Sequence, residues 1–374
     1  MFDQFVKSAR ATPLRRARRS HSPGRRRVPS PVEKGESWMA GRKFIALFSG
    51  LAAAALVSAA ALAADVKPAI IYDLGGKFDK SFNEGVYNGA LRFKKDTGID
   101  FRDLEIQNDA QREQVLRKFA KDGFSPIMTV GFAWATALGK IADEYPQTKF
   151  GIIDMEVDKP NVQSIVFKEQ EGSFLVGVIA AKTTKTGKVG FVGGMDIPLI
   201  SKFECGYAQG VKYASDGKDE VFANMTGTTP AAWNDPVKGG ELAKSQFDRG
   251  ADIVYAAAGA TGQGVLKAAA DADKLAIGVD SDQDYLFPGK VLTSMVKHVD
   301  NATYKDFMDA KNGTWKPGIQ ALGLKEGGVD FAVDQWNQGV LTPEAKAAAD
   351  AAKADIISGK IEVHDYMSDN KCPD

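Results

Sequence analysis

The sequence predicts an α/β protein of two Rossmann-like lobes, each a parallel sheet covered by helices. Three observations predict it. Short apolar runs alternate with amphipathic helical stretches from Lys67 onward, the alternation begins afresh near Lys188, and the turns after several apolar runs carry Asp or Gly. Beyond position 64 the chain has about 310 residues, enough for two lobes of ordinary size.

In the first half, strands are expected at 69–72, 101–106, 127–130 and 150–154, where β-branched and aromatic residues are bounded by turn formers. Helices at 83–95, 110–121 and 133–144 lie between them. A helix at 171–182 leads into the second half. There, strands at 188–192, 220–223, 253–257 and 276–279 are separated by helices at 201–213, 237–249 and 264–272. A strand at 291–296, a helix at 301–312, an irregular strand region at 319–333 and a helix at 343–358 follow. We read these as the chain crossing back to complete the first lobe and then returning to the second. The expected N-terminal lobe is 65–183 plus 291–318, and the C-terminal lobe is 184–290 plus 319–374, joined by a multi-strand hinge.

Ahead of the lobes, Arg42 and Lys43 precede an uncharged Ala-rich run ending in Ala61-Leu62-Ala63. Residues 39–64 read as a signal peptide cleaved near Ala63 or Ala64, in preference to a membrane anchor. Residues 1–38, rich in Arg, Ser and Pro, read as an over-extended N-terminus, disordered if translated. No Cys follows the apolar run, so the expectation is a periplasmic protein that is exported and not lipidated. The formal charge of zero hides an asymmetry. Residues 1–64 hold 12 Lys and Arg against 3 Asp and Glu, which leaves 36 basic and 45 acidic side chains beyond them. This acidic remainder argues against nucleic acid as a partner and suits a monomeric soluble carrier. The two cysteines, Cys205 and Cys372, are a candidate disulfide.

Catalytic patterns are lacking. The part beyond residue 64 contains only His298 and His364, in no nucleophile or metal-ligand spacing, and neither a Walker A loop nor a Gly-x-Ser-x-Gly elbow occurs. No metal or cofactor is expected. His298 reads as a hinge-surface residue. Open parallel sheets bind ligands at the carboxyl ends of their strands, where Asp73, Gly131, Asp154, Gly259 and the pair Asp280/Asp282 fall. The glycine-rich turn Gly259-Ala260-Thr261-Gly262 has no cluster of Arg or Lys beside it, so a neutral hydroxylated ligand suits it better than a phosphate. Phe82 and Trp233, one in each half, sit in polar turn contexts and would sandwich a flat heterocycle; Phe132 reads as core. Lys297 is placed to donate to a ligand acceptor. Hydrogen bonds to charged groups contribute roughly 1.5–3 kcal/mol each.

The run Phe78-Asp79-Lys80-Ser81-Phe82-Asn83-Glu84-Gly85 resembles the D-K-S-F-N motif of the basic membrane protein family, the solute-binding proteins of ABC importers that include purine nucleoside receptors. Further matches are Asn161-Val162, Glu171-Gly172-Ser173-Phe174, Gly193-Gly194-Met195-Asp196-Ile197-Pro198, Asn234-Asp235-Pro236 and Gly278-Val279-Asp280-Ser281-Asp282-Gln283. The resemblance implies a type I periplasmic binding protein that captures a purine nucleoside or base between its lobes and docks on an inner-membrane ABC permease. It implies ligand contacts at Asp73, Phe82, Asn83, Asp154, Trp233, Gly259, Asp282 and Lys297. Trp233 stands where the family usually carries Phe. A sensory receptor for the same ligands and a nucleoside-cleaving enzyme are the alternative readings.

Overall fold

The computed structural model describes residues 66–373; the expected signal peptide and basic N-terminal stretch lie outside them. The first part runs β1 (Ala69–Tyr72), α1 (Phe82–Thr97), β2 (Arg102–Glu105), α2 (Arg112–Lys121), β3 (Ile127–Thr129), α3 (Ala135–Glu144), β4 (Phe150–Ile153) and β5 (Val162–Phe167). Next come α4 (Glu169–Thr183), β6 (Lys188–Met195), α5 (Pro198–Ser215), β7 (Glu220–Gly227), α6 (Pro236–Asp248), β8 (Ile253–Ala257), α7 (Gly262–Asp271) and β9 (Leu275–Asp280). The last part is β10 (Val291–Lys297), α8 (Val299–Asn312), β11 (Gly318–Leu322), β12 (Val329–Phe331) and α9 (Pro343–Ile357).

Two six-stranded sheets result, in the orders β11-β5-β4-β3-β1-β2 and β12-β10-β9-β8-β6-β7. Every pairing is parallel except the antiparallel edge strand β12 on β10. β1, β3, β4 and β8 are buried along their whole length. A parallel strand covered on both faces needs no polar alternation, which is why these runs read as plain apolar stretches. α4 is buried on nearly every side and packs closely on α5. A Cβ on Gly177 would collide with the Tyr207 carbonyl, and one on Gly210 with that of Phe174.

The chain passes between the sheets three times, at Lys168, at His298 and through 323–328. This displaces the expected lobe boundaries. β10 continues the second sheet beside β9, so the return to the first lobe begins at His298 rather than at residue 291. α8 then packs on α1. The region 319–333 is not one irregular strand: β11 closes the first sheet and β12 edges the second, divided by a turn holding Gly323, Gly327 and Gly328. α4 packs on α5, α9, β10 and β12 and so sits with the second lobe. β5 was not expected, because Gln163 and Ser164 interrupt its apolar run. Both are buried. Gln163 donates to the Lys316 carbonyl at 2.8 Å and Ser164 Oγ accepts from Val157 N at 2.9 Å.

Cys205 and Cys372 form a disulfide that ties the C-terminal segment to α5. Gln209, one turn on, brackets that segment, donating to the His364 carbonyl at 3.1 Å and accepting from its N–H at 2.9 Å. No helix among the described residues is long and apolar enough to cross a membrane.

Candidate functional site

The carboxyl ends of strands from both sheets line one cavity with about 670 Å³ of unfilled space, part of it open to solvent.

Asp73 follows β1. Its Oδ1 accepts from the Arg112 guanidinium at 2.6 Å and from Leu74 N at 2.7 Å. Burial raises its pKa and Arg112 opposes that shift. Gly131, at φ 101°, lies beside it, and a Cβ there would stand 3.0 Å from Asp73 Oδ2 in a backbone region unfavourable to other residues. Arg112 also lies over the Trp134 ring, 4.6 Å from its centroid.

The loop before α1 is organised by Asp79, which accepts from the N–H groups of Ser81, Asn83 and Glu84 at 2.8, 2.9 and 3.1 Å. It thereby caps the helix and sets Phe82, the first helical residue, at the cavity wall. Burial pushes the Asp79 carboxyl up to about 7 despite these three donors. Asn83 donates to the Gly76 carbonyl at 3.1 Å and lines the cavity, its buried Oδ1 without a partner.

Beneath Phe82 lies a buried chain of charges. The Lys297 ammonium is 2.7 Å from Asp154 and 2.9 Å from Glu169, and Glu169 is 2.9 Å from Lys202. Lys202 also donates to the Phe167 carbonyl at 2.7 Å. Opposite charges alternate, the arrangement that makes buried ions tolerable. Burial alone would lower the Lys297 pKa, but Asp154, Glu169 and Asp280 outweigh it and hold the ammonium charged. Burial lifts Asp154 to about 6, with Lys297 pulling the other way. Glu169 falls below the usual carboxylate range because Lys202 and Lys297 together overcome its burial. The rings of Phe82, Phe167 and Phe203 surround the ammonium, with centroids 5.0, 5.1 and 5.5 Å away.

From the second lobe, Trp233 enters on a turn after β7. Thr261 fixes that turn by donating to the Ala232 carbonyl at 2.8 Å and accepting from Asp235 N at 2.7 Å. Gly259, at the end of β8, lies alongside the indole.

Seven of the eight expected contact residues thus meet at one cavity; Asp282 does not. It is exposed, and its Oδ1 accepts from Asp284 N at 3.0 Å. Asp280, the last residue of β9, lines the cavity instead, buried and with its pKa raised by that burial. The placement follows from its own backbone: at φ 63° the chain turns immediately after Asp280, carrying Asp282 away to the surface. Phe132, expected in the core, is half-buried and lines the cavity. His298 sits at a lobe crossing, with Nδ1 3.3 Å from Asp300. Arg112, Asp79, Phe203 and Glu169 were missed; only Asp79, inside the quoted motif, carried a sequence signal.

The lobes meet along a seam independent of the cavity's aromatic walls. Ser81 Oγ donates to Asp280 Oδ2 at 2.5 Å, and Ser281 Oγ donates to the Ser81 carbonyl at 3.0 Å. Gln283 donates to the Lys80 carbonyl at 2.9 Å and Gln263 to that of Asp79 at 3.1 Å.

The pattern of the family described as ABC transporter substrate-binding protein, PnrA-like, matches residues 68–366. An uncharacterized lipoprotein of Pyrococcus horikoshii is 36% identical over 303 residues, covering 77% of this chain and 73% of that protein. The ABC transporter nucleoside-binding protein BmpA of Lactococcus lactis is 35% identical over 326 residues, covering 80% and 89%. Among solved structures, an ABC transporter solute-binding protein from Aeropyrum pernix superposes with a TM-score of 0.73 at 30% identity, covering 79% of this chain and 92% of that one. One from Conexibacter woesei, 23% identical with a TM-score of 0.67 over 80% and 99%, shares the fold. The fold is therefore that of the solute-binding proteins of ABC systems. These relatives also correct one expectation. Three archaeal relatives at 35–36% identity are lipoproteins, which overturns the reading of an exported chain without lipid.

Proposed function

The chain belongs to the PnrA-like family of ABC transporter substrate-binding proteins, and on that premise we propose that it captures a purine nucleoside or purine base and delivers it to an ABC permease. The observation that carries this reading is the pairing of two aromatic walls from opposite lobes, Phe82 and Trp233, with a cavity rich in acceptors. Asp73, Asp79, Asp154 and Asp280 line it against the single ammonium of Lys297, and Asn83 adds an unpartnered carbonyl oxygen.

A ligand suited to this lining is flat, uncharged and rich in N–H and O–H donors. The excess of carboxylates repels a phosphate, so the nucleoside is favoured over its nucleotide. The nucleoside-binding relative from Lactococcus lactis points the same way. Capture needs no bond making: the ligand stacks on one lobe and the other closes over it along the Ser81–Asp280 seam.

The test is mass spectrometry of ligand released from purified protein, followed by calorimetry with inosine, guanosine, adenosine and AMP. We expect intact nucleoside to be released and to rebind in the micromolar range or tighter, with AMP at least tenfold weaker. Release of a non-aromatic solute, or equal affinity for AMP, would overturn the reading. Recovery of free base and ribose from added nucleoside would convert it to a hydrolase.

A further inference from the structure

The indole of Trp233 is seated on bare backbone. A Cβ built on Gly194, near the end of β6, would overlap Cζ3 and Cε3 of the indole and stand 3.0 Å from Cη2. All three atoms belong to the six-membered half of the ring. Gly193 serves a different purpose, since a Cβ there would run into Met225 and Ile200. Successive strand residues face opposite sides, so of this pair only Gly194 faces Trp233. On the far side, a Cβ on Gly75 of the first lobe would lie 3.6 Å from Trp233 Cβ.

We propose that Gly194 is a specificity-determining positioning residue, which lets the outer ring of Trp233 lie flat so that the cavity accepts a ligand two fused rings wide. The inference rests on the assignment of Phe82 and Trp233 as the ligand's walls. Ordinary carbon contacts sit at ~3.5–4.0 Å, so a methyl group at position 194 displaces the six-membered half of the indole by on the order of an ångström or more. β6 is held on both sides of Gly194 by β7, at Gly193–Met225 and Met195–Gly227, and by β8 up to Gly193, which opposes a backbone shift. The free direction is the cavity, and the outer half of the indole would tilt into it. A bicyclic base that overlaps the whole indole then loses its stacking surface, while a single ring over the inner half keeps most of it.

The test is a double-mutant cycle of Gly194→Ala and Trp233→Phe in the full chain, read in two ways. Melting temperatures of ligand-free protein report the seating: Gly194→Ala lowers the melt, and adding Trp233→Phe, whose ring is shorter, recovers part of the loss. Calorimetry with inosine and uridine reports the specificity. Gly194→Ala is expected to cut the preference for inosine over uridine at least tenfold, and Trp233→Phe to weaken inosine less in the Gly194→Ala background than in wild type. Additive melts would overturn the seating. Coupled melts with an unchanged inosine-to-uridine preference would overturn the specificity role and leave Gly194 a packing residue. Failure of wild-type protein to bind either nucleoside overturns the nucleoside assignment, and the role of Gly194 in bicyclic selection with it. An altered preference is impossible to obtain from a general loss of stability, which weakens both ligands alike.

Discussion

Replacing Lys297 by methionine keeps most of the length of the unbranched side chain and removes its charge, which isolates what the ammonium contributes. Glu169 retains Lys202 at 2.9 Å. Asp154 does not fare as well, because Lys297 is its ion-pair partner among the described residues. Removing one member of a buried pair costs about 3–5 kcal/mol, since the other is left uncompensated. At an unfolding entropy of ~2.1 cal/mol/K per residue, about 310 residues give ~1.5 °C per kcal/mol, so the melt should fall by ~5–8 °C. Adding Asp154→Asn removes the orphaned charge and should recover half of that loss or more, a coupling that the double-mutant cycle measures directly. The assay is thermal unfolding of ligand-free protein at pH 7.5. Because burial already lifts Asp154 to about 6, the single-mutant penalty should shrink toward pH 5, where the carboxyl takes up a proton. A loss under ~1 kcal/mol, the range of exposed pairs, together with additivity of the two substitutions, would refute the claim that this pair lies in a water-poor interior.

Asp280→Asn is expected to weaken nucleoside binding at least tenfold, whereas Asp282→Asn should stay within about twofold of wild type; calorimetry giving the reverse order would return the site to Asp282. Gln263→Ala removes a seam hydrogen bond, its donation to the Asp79 carbonyl, from a residue outside the cavity lining. At ~1 kcal/mol per neutral bond it should weaken binding roughly fivefold by easing the lobes apart, and unchanged affinity would show that the seam does not hold closure. Burial raises the carboxyls of Asp79, Asp284 and Asp306 to about 7 and that of Asp154 to about 6. In the unfolded chain they titrate near 3.8, so the folded protein holds more protons between about pH 4 and 7 and its stability falls as pH rises through that window. Melts taken from pH 5 to 8.5 should decline to a plateau near pH 8; a rise between pH 5 and 7.5 would contradict this.

The alternation of strands and helices was legible because parallel strands covered on both faces carry unbroken apolar runs, as in Ile70 and Ile71 or Val254 and Tyr255. β5 was illegible because Gln163 and Ser164 are buried with satisfied partners, a fact of tertiary packing. The strand-end aspartates Asp73 and Asp154 followed from the rule that parallel sheets bind at their carboxyl ends. The choice between Asp280 and Asp282 turned on a single backbone angle that residue types do not encode. Arg112 lies 39 positions from Asp73, and Lys202 lies 33 from Glu169; nothing local to those helical stretches marks either as part of a site. Phe203 was hidden for the same reason, an ordinary apolar helix residue until α5 is laid beside the lobe crossing.

The threefold passage of the chain between the sheets bears on how the protein is made. The first sheet's edge strand β11 pairs Gly318 with Gln163, so an N-terminal half emerging from a ribosome or a membrane channel holds five of its six strands and none of α8. That fragment leaves the flank of β5 unpaired and the face of α1 uncovered until more than a hundred further residues have appeared. Meanwhile residues 169–297 supply five of the second sheet's six strands in one uninterrupted stretch. Each lobe therefore draws five of its six strands from one uninterrupted stretch and waits for an edge strand from the C-terminal segment, but the lobe synthesised first waits far longer, from Phe167 to Gly318, than the second, from Lys297 to Val329.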